Sequence, residues 1–407
     1  MDPSEIVSDL SAIPGRGPGT EGEREAARWL QRRLRDAGRE ADLEAHWVRP
    51  QWPAVHALHA AVGVVAGVVA VYEPLIGLVC AALAFVSCVL DLLGLAHLGR
   101  RITPERGTQN VVSAPTAATA GGRERIVRLV IAAGYDAPRQ GLARRDSLRR
   151  MAARAQRLAR GRLPGALGGL ALALAAITAI AALRLAELEP PWLDAAQLIP
   201  SAWLLLALAL LVDAGLSSHS PGAAEPASAA AVAIALALAL DRSPPRRMGV
   251  ELVLAGAGAG PSLGMRGYVR ARRGRWRPEA TVVLGLEACG HGHPRWWTAD
   301  GPLLPLRFHP RLRALCEEVA RDEPRLQAAP LRGHGLTAAF RARLAGWPAI
   351  AIGARDSHGI VPGAGQASDV ADRVDPKAMD ATLEFCLALV DRLDADLAQR
   401  VPASSTK

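Results

Sequence analysis

Four apolar runs, arranged as two pairs, constrain this chain more than any other feature. The first pair is Ala54 to Tyr72 (AVHALHAAVGVVAGVVAVY) and Leu75 to Leu98, separated by Glu73-Pro74. The second is Gly165 to Leu183 and Ala196 to Val212, joined by RLAELEPPWLDA. A bilayer-crossing helix needs about 20 predominantly apolar residues, and each run is near that length. The alternative is a set of buried helices in a soluble protein, but ordinary core helices carry a polar face and these runs do not. Two transmembrane helical hairpins are therefore expected, at 54–98 and 165–212.

The arginines give an orientation. Gly99-Arg100-Arg101 and Arg106 follow the first pair. A basic stretch at 142–163 precedes the second, with Arg144, Arg145, Arg149, Arg150, Arg154, Arg157, Arg160 and Arg162 against the single Asp146. The hairpin turns carry Glu73, and Glu187, Glu189 and Asp194 with only Arg184. The positive-inside rule places the turns outside an inner membrane, and both termini and the intervening chain in the cytoplasm. The N-terminus, MDPSEIVSDLSAIPGRG, has no charged region followed by an apolar one, so no cleaved signal is expected. The net charge of +9 invites a nucleic-acid partner. Its location before a spanning segment instead favours a juxtamembrane helix on anionic lipid headgroups, and no zinc-finger or aromatic-basic motif supports nucleic acid. His56 and His59 lie near the start of the first hairpin, and Asp91 and His97 near its end, which suits interfacial snorkelling. The five cysteines form no close pair, which argues against a disulfide framework.

Residues 1–50, 99–163 and 214–400 remain as one cytoplasmic domain. Ala26, Trp29, Leu30, Leu34 and Ala37 have helical spacing, with Thr20 and Glu23 as a capping box and Gly38 as the stop. Strand-like runs occur at 110–113, 126–131, 250–254, 281–286 and 349–352, and helices at 227–240 and 376–393. This alternation indicates an α/β domain with a mixed, mostly parallel sheet and helices on both faces. The hairpins fall in its connections. The tail 401–407 is expected to be disordered.

In order along the chain, GTEGEREAARWLQRRLRDAGRE, TQNVVSAP, RIVRLVIAAGYDAP, SPGAAEPASAAAVAIALALAL, VELVLAGAGAGPSLGMRGYV, VVLGLEACG, FRARLAGWPAI and ASDVADRVDP resemble the zinc exopeptidases of clan MH. This is the aminopeptidase Y and bacterial leucyl aminopeptidase group, metallopeptidase family 28. The resemblance covers nearly all of the chain outside the hairpins. It implies a largely parallel sheet covered on both faces, with two zinc ions and a catalytic glutamate at the strand ends in active relatives.

Such a centre needs two metals about 3.5–4 Å apart, a bridging carboxylate, His and carboxylate ligands, and a general base. Carried over by position, the resemblance puts the first metal histidine at Gly134 in Gly134-Tyr135-Asp136. It puts the bridging aspartate at Glu225, the general base at Gly258 and its neighbouring glutamate ligand at Ala259. The next aspartate falls on Glu287 and the last histidine on Gly365. Glycine and alanine offer neither a lone pair to a metal nor a group to activate water. The expectation is a degenerate relative with no cofactor. Asp136, Glu225 and Glu287 would line a residual cleft able to hold a cationic group such as a peptide amino terminus.

Cys289, His291 and His293 follow Glu287 closely enough to suggest zinc or copper. They lack a second ligand pair at zinc spacing, so a surface loop is preferred. His334 and His358 are expected to be exposed loop residues, and Asp356-Ser357-His358 has no nucleophile-elbow motif. The leading expectation is thus a membrane-anchored, catalytically inactive exopeptidase-like protein with a binding or scaffold role for a peptide or protein ligand. The alternatives are an active membrane metallo-aminopeptidase using non-standard zinc ligands, and a transport accessory protein.

Overall fold

The computed structural model describes residues 1–115, 127–159, 161–188 and 190–400. Of the features expected above, Ile126, Arg160, Glu189 and the tail 401–407 lie outside the described residues.

The sheet is built on β1 (Arg39–Val48), β2 (Arg106–Pro115), β3 (Val127–Gly134), β4 (Met248–Ala255), β5 (Thr281–Leu286), β6 (His293–Asp300), β7 (Leu306–Arg307), β8 (Ala329–Arg332) and β9 (Ala349–Arg355). Its order is β1-β2-β4-β3-β5-β9-β6-β7, with β8 paired to β6. The four central strands, β4, β3, β5 and β9, run parallel. Antiparallel pairs flank them at β1–β2, β2–β4 and β6–β9. The central strands are buried apolar runs such as Leu129–Ala133, as strands covered on both faces require. The flanking strand β1, READLEAHWV, alternates with charges and gave no comparable apolar signal.

Helices α1 (Pro3–Ala12) and α2 (Glu21–Asp36) precede the first insertion, α3 (Trp52–Tyr72) with α4 (Pro74–Leu93). After β3 come α5 (Asp146–Leu158) and the second insertion, α6 (Ala166–Leu185) with α7 (Leu193–Leu216). The remaining helices are α8 (Ser228–Arg242), α9 (Leu263–Arg272), α10 (Pro310–Asp322), α11 (Ala338–Leu344) and α12 (Pro376–Arg400). One face of the sheet carries α8 and α12, the other α9 and α11. Among the described residues, five helices are long and apolar enough to cross a membrane by length and composition. The fifth, Ala223–Arg242, contains α8 and belongs to the buried core of the sheet domain.

The four helices of the insertions form one bundle with its own core, separate from that of the sheet. Glycines at Gly63 and Gly67 let α3 approach its neighbours: a Cβ on Gly63 would stand 2.5 Å from Leu174. Gln197 Nε2 donates to the Gly67 carbonyl at 2.9 Å, and Arg184 joins Asp194 (2.6 Å) and Gln197 (3.0 Å) at the far turn. Both insertions leave and return through paired backbone. Val48 pairs with Arg106 at the open end of β1–β2, and Arg139 bridges to His219 beneath the second. Because the ends of each insertion are already adjacent, a bundle of this size fits without opening the sheet.

The capping box is partly rearranged. Thr20 Oγ1 accepts from Glu23 N at 3.2 Å as expected. The Glu23 carboxylate reaches instead to Gly19 N (2.7 Å), Thr108 Oγ1 (2.8 Å) and Ala257 N (2.6 Å). It thereby ties the start of α2 to the loop after β4.

Candidate functional site

A cavity of about 900 Å³ opens at the carboxyl ends of the central strands, where open α/β sheets place their ligands. Gly134, Asp136, Glu225, Gly258, Ala259 and Glu287 all line it. The ends of the helical bundle line it too, through Trp52, His56, Asp91, Arg100 and Leu167. The cleft therefore sits where the bundle meets the sheet domain.

Each of the three expected carboxylates has a different environment. Asp136 is buried and accepts from the backbone amides of Gly258 and, at 3.0 Å, Ala259. These amides belong to the two residues where the family resemblance puts the paired glutamates. A Cβ on Gly258 would lie 3.0 Å from Asp136 Oδ1 and 3.1 Å from Gly134 Cα, so the three residues form one close-packed unit. Burial raises Asp136 to about 6 despite the two amides.

Glu225 faces Arg144, with Oε2 3.3 Å from Nη1. Burial pushes its carboxyl up, but Arg144, Arg149 and Arg355 together hold it below the ordinary value. Arg144 also fills the space beside Gly365: a Cβ there would lie 2.5 Å from Arg144 Cδ and Nη1, and the backbone has φ +71°. Asp369 holds this corner, accepting from Ala224 N (2.6 Å) and Gly365 N (2.9 Å). Glu287 is different again. Burial, with Asp300 and Glu225 adding to it and Arg355 opposing, lifts its carboxyl to about 8.

Asp136 is thus held by amides, Glu225 faces a guanidinium, and the Glu287 carboxyl is raised by burial. Arg157, Arg295 and Arg332 on the cavity wall add positive charge.

The Glu287 and Glu23 carboxyls, both lifted to about 8, give stability a definite pH dependence. Between their ordinary value of 4.5 and about 8, the folded chain holds protons that the unfolded chain has released. Histidines such as His46, His219, His291 and His334, whose rings burial holds below their ordinary value of 6.5, act in the opposite sense at lower pH. Above about pH 7 the two carboxyls set the slope, and stability falls as pH rises to about 8. The thermal midpoint of the full-length protein should decrease between about pH 7 and about pH 8, with a shallower slope in Glu287→Gln. A wild-type midpoint that rises across that interval contradicts this.

The lower-ranked metal residues are not gathered. Cys289 is buried, its thiol donating to the Glu287 carbonyl at 2.9 Å and its amide to Ser228 Oγ at 2.9 Å. His291 and His293 are half-buried, and among the described residues neither joins Cys289 or Glu287 in a metal-ligand cluster. His334 and His358, expected as exposed loop residues, are half-buried and line the cavity. Ser357 Oγ and Asp356 Oδ2 both approach the same ring nitrogen of His358, Nδ1, at 3.4 and 3.5 Å. A catalytic relay needs its two partners on opposite nitrogens, so this turn is not a serine triad.

The snorkelling expectation is overturned. His56, His59 and Asp91 are buried at 1%, 5% and 2% exposure. Asp91 takes a two-pronged bond from Arg100, Nε at 2.7 Å and Nη2 at 2.8 Å, and also meets His56 and His97. Protein groups, and not the interface, satisfy this charge. Part of the basic stretch also turns to protein: Arg144 faces Glu225, Arg149 donates to Val361 O, and Arg157 reaches the Ser357 and His358 carbonyls. Arg145, Arg150, Arg154 and Arg162 remain exposed. Arg144 as a cleft residue escaped the sequence because it lay among seven other arginines, and no local pattern marks which of them will meet Glu225.

No protein-family model matches the sequence, and no curated protein does. The fold, however, is similar to solved structures. Against LapB from Legionella pneumophila the TM-score is 0.52 at 12% identity, over 97% of this chain and 71% of that one. Against Porphyromonas gingivalis glutaminyl cyclase it is 0.53 at 12%, over 96% and 97%. Against a leucine aminopeptidase precursor from Bacteroides thetaiotaomicron it is 0.53 at 12%, over 96% and 96%. At this identity the likeness establishes the fold: a mixed α/β architecture of the aminopeptidase and glutaminyl cyclase type.

Proposed function

We propose that this chain is a membrane-anchored, non-catalytic protein that uses an aminopeptidase-like fold to bind a ligand at the membrane surface. One observation carries this reading: the Arg144 guanidinium lies between Glu225 and Gly365. By position these are the places of the bridging carboxylate and the last metal histidine. Arg144, with Arg149 and Arg355 nearby, supplies around Glu225 the positive charge that two zinc ions would supply. The donor set does not fit a two-metal centre. Gly134, Gly258, Ala259 and Gly365 have no donor side chains, and the Asp136 oxygens are taken by amides. No hydrolytic step follows from these residues.

The bundle supports membrane anchoring. Val65, Val68, Leu83, Ile199 and Leu206 are large apolar residues exposed on its outside, as lipid-facing positions are. With the arginine distribution, they support four spans of an inner membrane, with the sheet domain and both termini cytoplasmic. The exposed face of α5, with Arg150 and Arg154 beside Leu148 and Met151, suits an anionic lipid surface. The cleft wall, rich in arginine, suits a peptide or protein segment bearing an acidic group.

The test is turnover. Full-length protein in detergent or nanodiscs is assayed against a panel of aminoacyl substrates and of peptides with N-terminal glutamine. No hydrolysis or cyclisation above that of an empty preparation is expected. Turnover that Glu225→Ala abolishes would overturn the non-catalytic reading, because it would show this carboxylate working in catalysis.

A further inference from the structure

We propose that His56, His59 and Cys88 form a binding site for a single thiophilic metal ion, Cu(I) or Zn(II), inside the first hairpin. The site is distinct from the three cleft carboxylates. His56 and His59 stand one turn apart on α3, and Cys88 faces them from α4; all three are buried. Their donor atoms lie within 4.8 Å of one another. The two Nδ1 atoms are 3.3 Å apart, and Cys88 Sγ is 3.9 Å from His56 Nδ1. Two nitrogens each bound at about 2.0–2.1 Å to a tetrahedral ion lie about 3.3–3.4 Å apart. The observed separation matches this.

The surroundings hold both rings in a ligating orientation. His56 Nε2 is 3.3 Å from Asp91 Oδ2, and His59 Nε2 is 2.9 Å from Ser87 Oγ. Each histidine thus has its far nitrogen engaged and its near nitrogen turned toward the other and toward Cys88. A carboxylate behind a ligating imidazole is the arrangement that fixes the ring and raises its basicity. Asp91 is itself fixed by Arg100 and His97. Two ring nitrogens this close need a positive or hydrogen-bearing bridge between them, and a metal ion also uses the thiolate that a simple proton would leave idle.

The donor set selects the class of ion. One sulfur and two imidazoles suit soft or borderline d¹⁰ ions, whereas hard ions such as Mg²⁺ and Ca²⁺ take oxygen ligands. The cavity provides access, because His56 and Asp91 line its wall. An ion bound here would tie α3 to α4 at the end of the bundle that faces the cleft.

The test uses full-length protein in detergent, stripped of metal and titrated in competition with chromogenic chelators, with Cu(I) under reducing anaerobic conditions and separately with Zn(II). One equivalent of at least one ion is expected. Cys88→Ser and His59→Ala should each weaken binding by about 100-fold, and Cys289→Ser should leave it unchanged. X-ray absorption on the loaded wild-type protein needs no variant to fold, and should show nitrogen and sulfur ligation together. Failure of both ions to bind stoichiometrically would overturn the site. So would binding insensitive to Cys88→Ser and His59→Ala, or an oxygen-only coordination shell.

Discussion

Asp91→Ala should destabilise the protein by about 3–5 kcal/mol, the range for removing one partner of a buried ion pair. The Asp91 side chain is 1% exposed and that of Arg100 is 5%. Both carboxylate oxygens are bonded to the guanidinium, and His56 and His97 complete the cluster. Alanine would leave the Arg100 charge buried without its counter-ion, and would free the rings of two histidines at once. The effect should be visible as a large drop in the thermal midpoint in detergent. A double variant, Asp91→Leu with Arg100→Leu, should lose much less than the sum of the two single changes, since it removes both charges together. A loss under about 1 kcal/mol for Asp91→Ala would mean that solvent or lipid headgroups already satisfy Arg100.

Arg16→Ala is expected to be similarly damaging, at about 3 kcal/mol or more, for a different reason. Arg16 is fully buried and donates to three backbone carbonyls: Tyr135 at 2.7 Å, Pro221 at 3.1 Å and Gly222 at 3.2 Å. Burial lowers its guanidinium only to about 10, so it stays charged at neutral pH. The three carbonyls belong to the segments that carry Asp136 and Glu225. Alanine would strand all three and leave a side-chain-sized void. Denaturant unfolding should show the loss in stability. Proteolysis should show cuts concentrated near 136–141 and 219–226, because those segments would lose their common clamp. Uniform loss without local cleavage would argue for global destabilisation alone.

The fold was legible in the sequence to a considerable depth. Apolar runs at 126–131 (127–131 of it within β3), 250–254, 281–286 and 349–352 became central strands because strands buried on both faces carry no alternation to disguise them. The long apolar pairs became α3–α4 and α6–α7 for a similar reason. Strands β1, β6, β7 and β8 were not anticipated. β1 and β6 each pair at a flank of the sheet and mix charged or aromatic residues with apolar ones, so neither shows a clean period, and β7 and β8 are only two and four residues long.

The candidate site divided differently. That Gly134, Gly258, Ala259 and Gly365 lack donor atoms is a property of residue type, and the sequence determined it without any coordinates. So was the presence of three carboxylates in the same segments. What surrounds these four positions was decided only by tertiary structure. Arg144 reaches Glu225 across 81 residues of sequence, over an insertion whose length says nothing about where its ends meet. His56, His59 and Cys88 converge because α3 and α4 pack at one register, and Asp91 meets Arg100 because the chain turns back at Gly94 after α4 into the short turn Gly99–Ile102. Chemical capacity belongs to single residues and can be read one position at a time. Charge pairing and ligand geometry belong to groups brought within a few ångströms, and only the folded chain sets those distances.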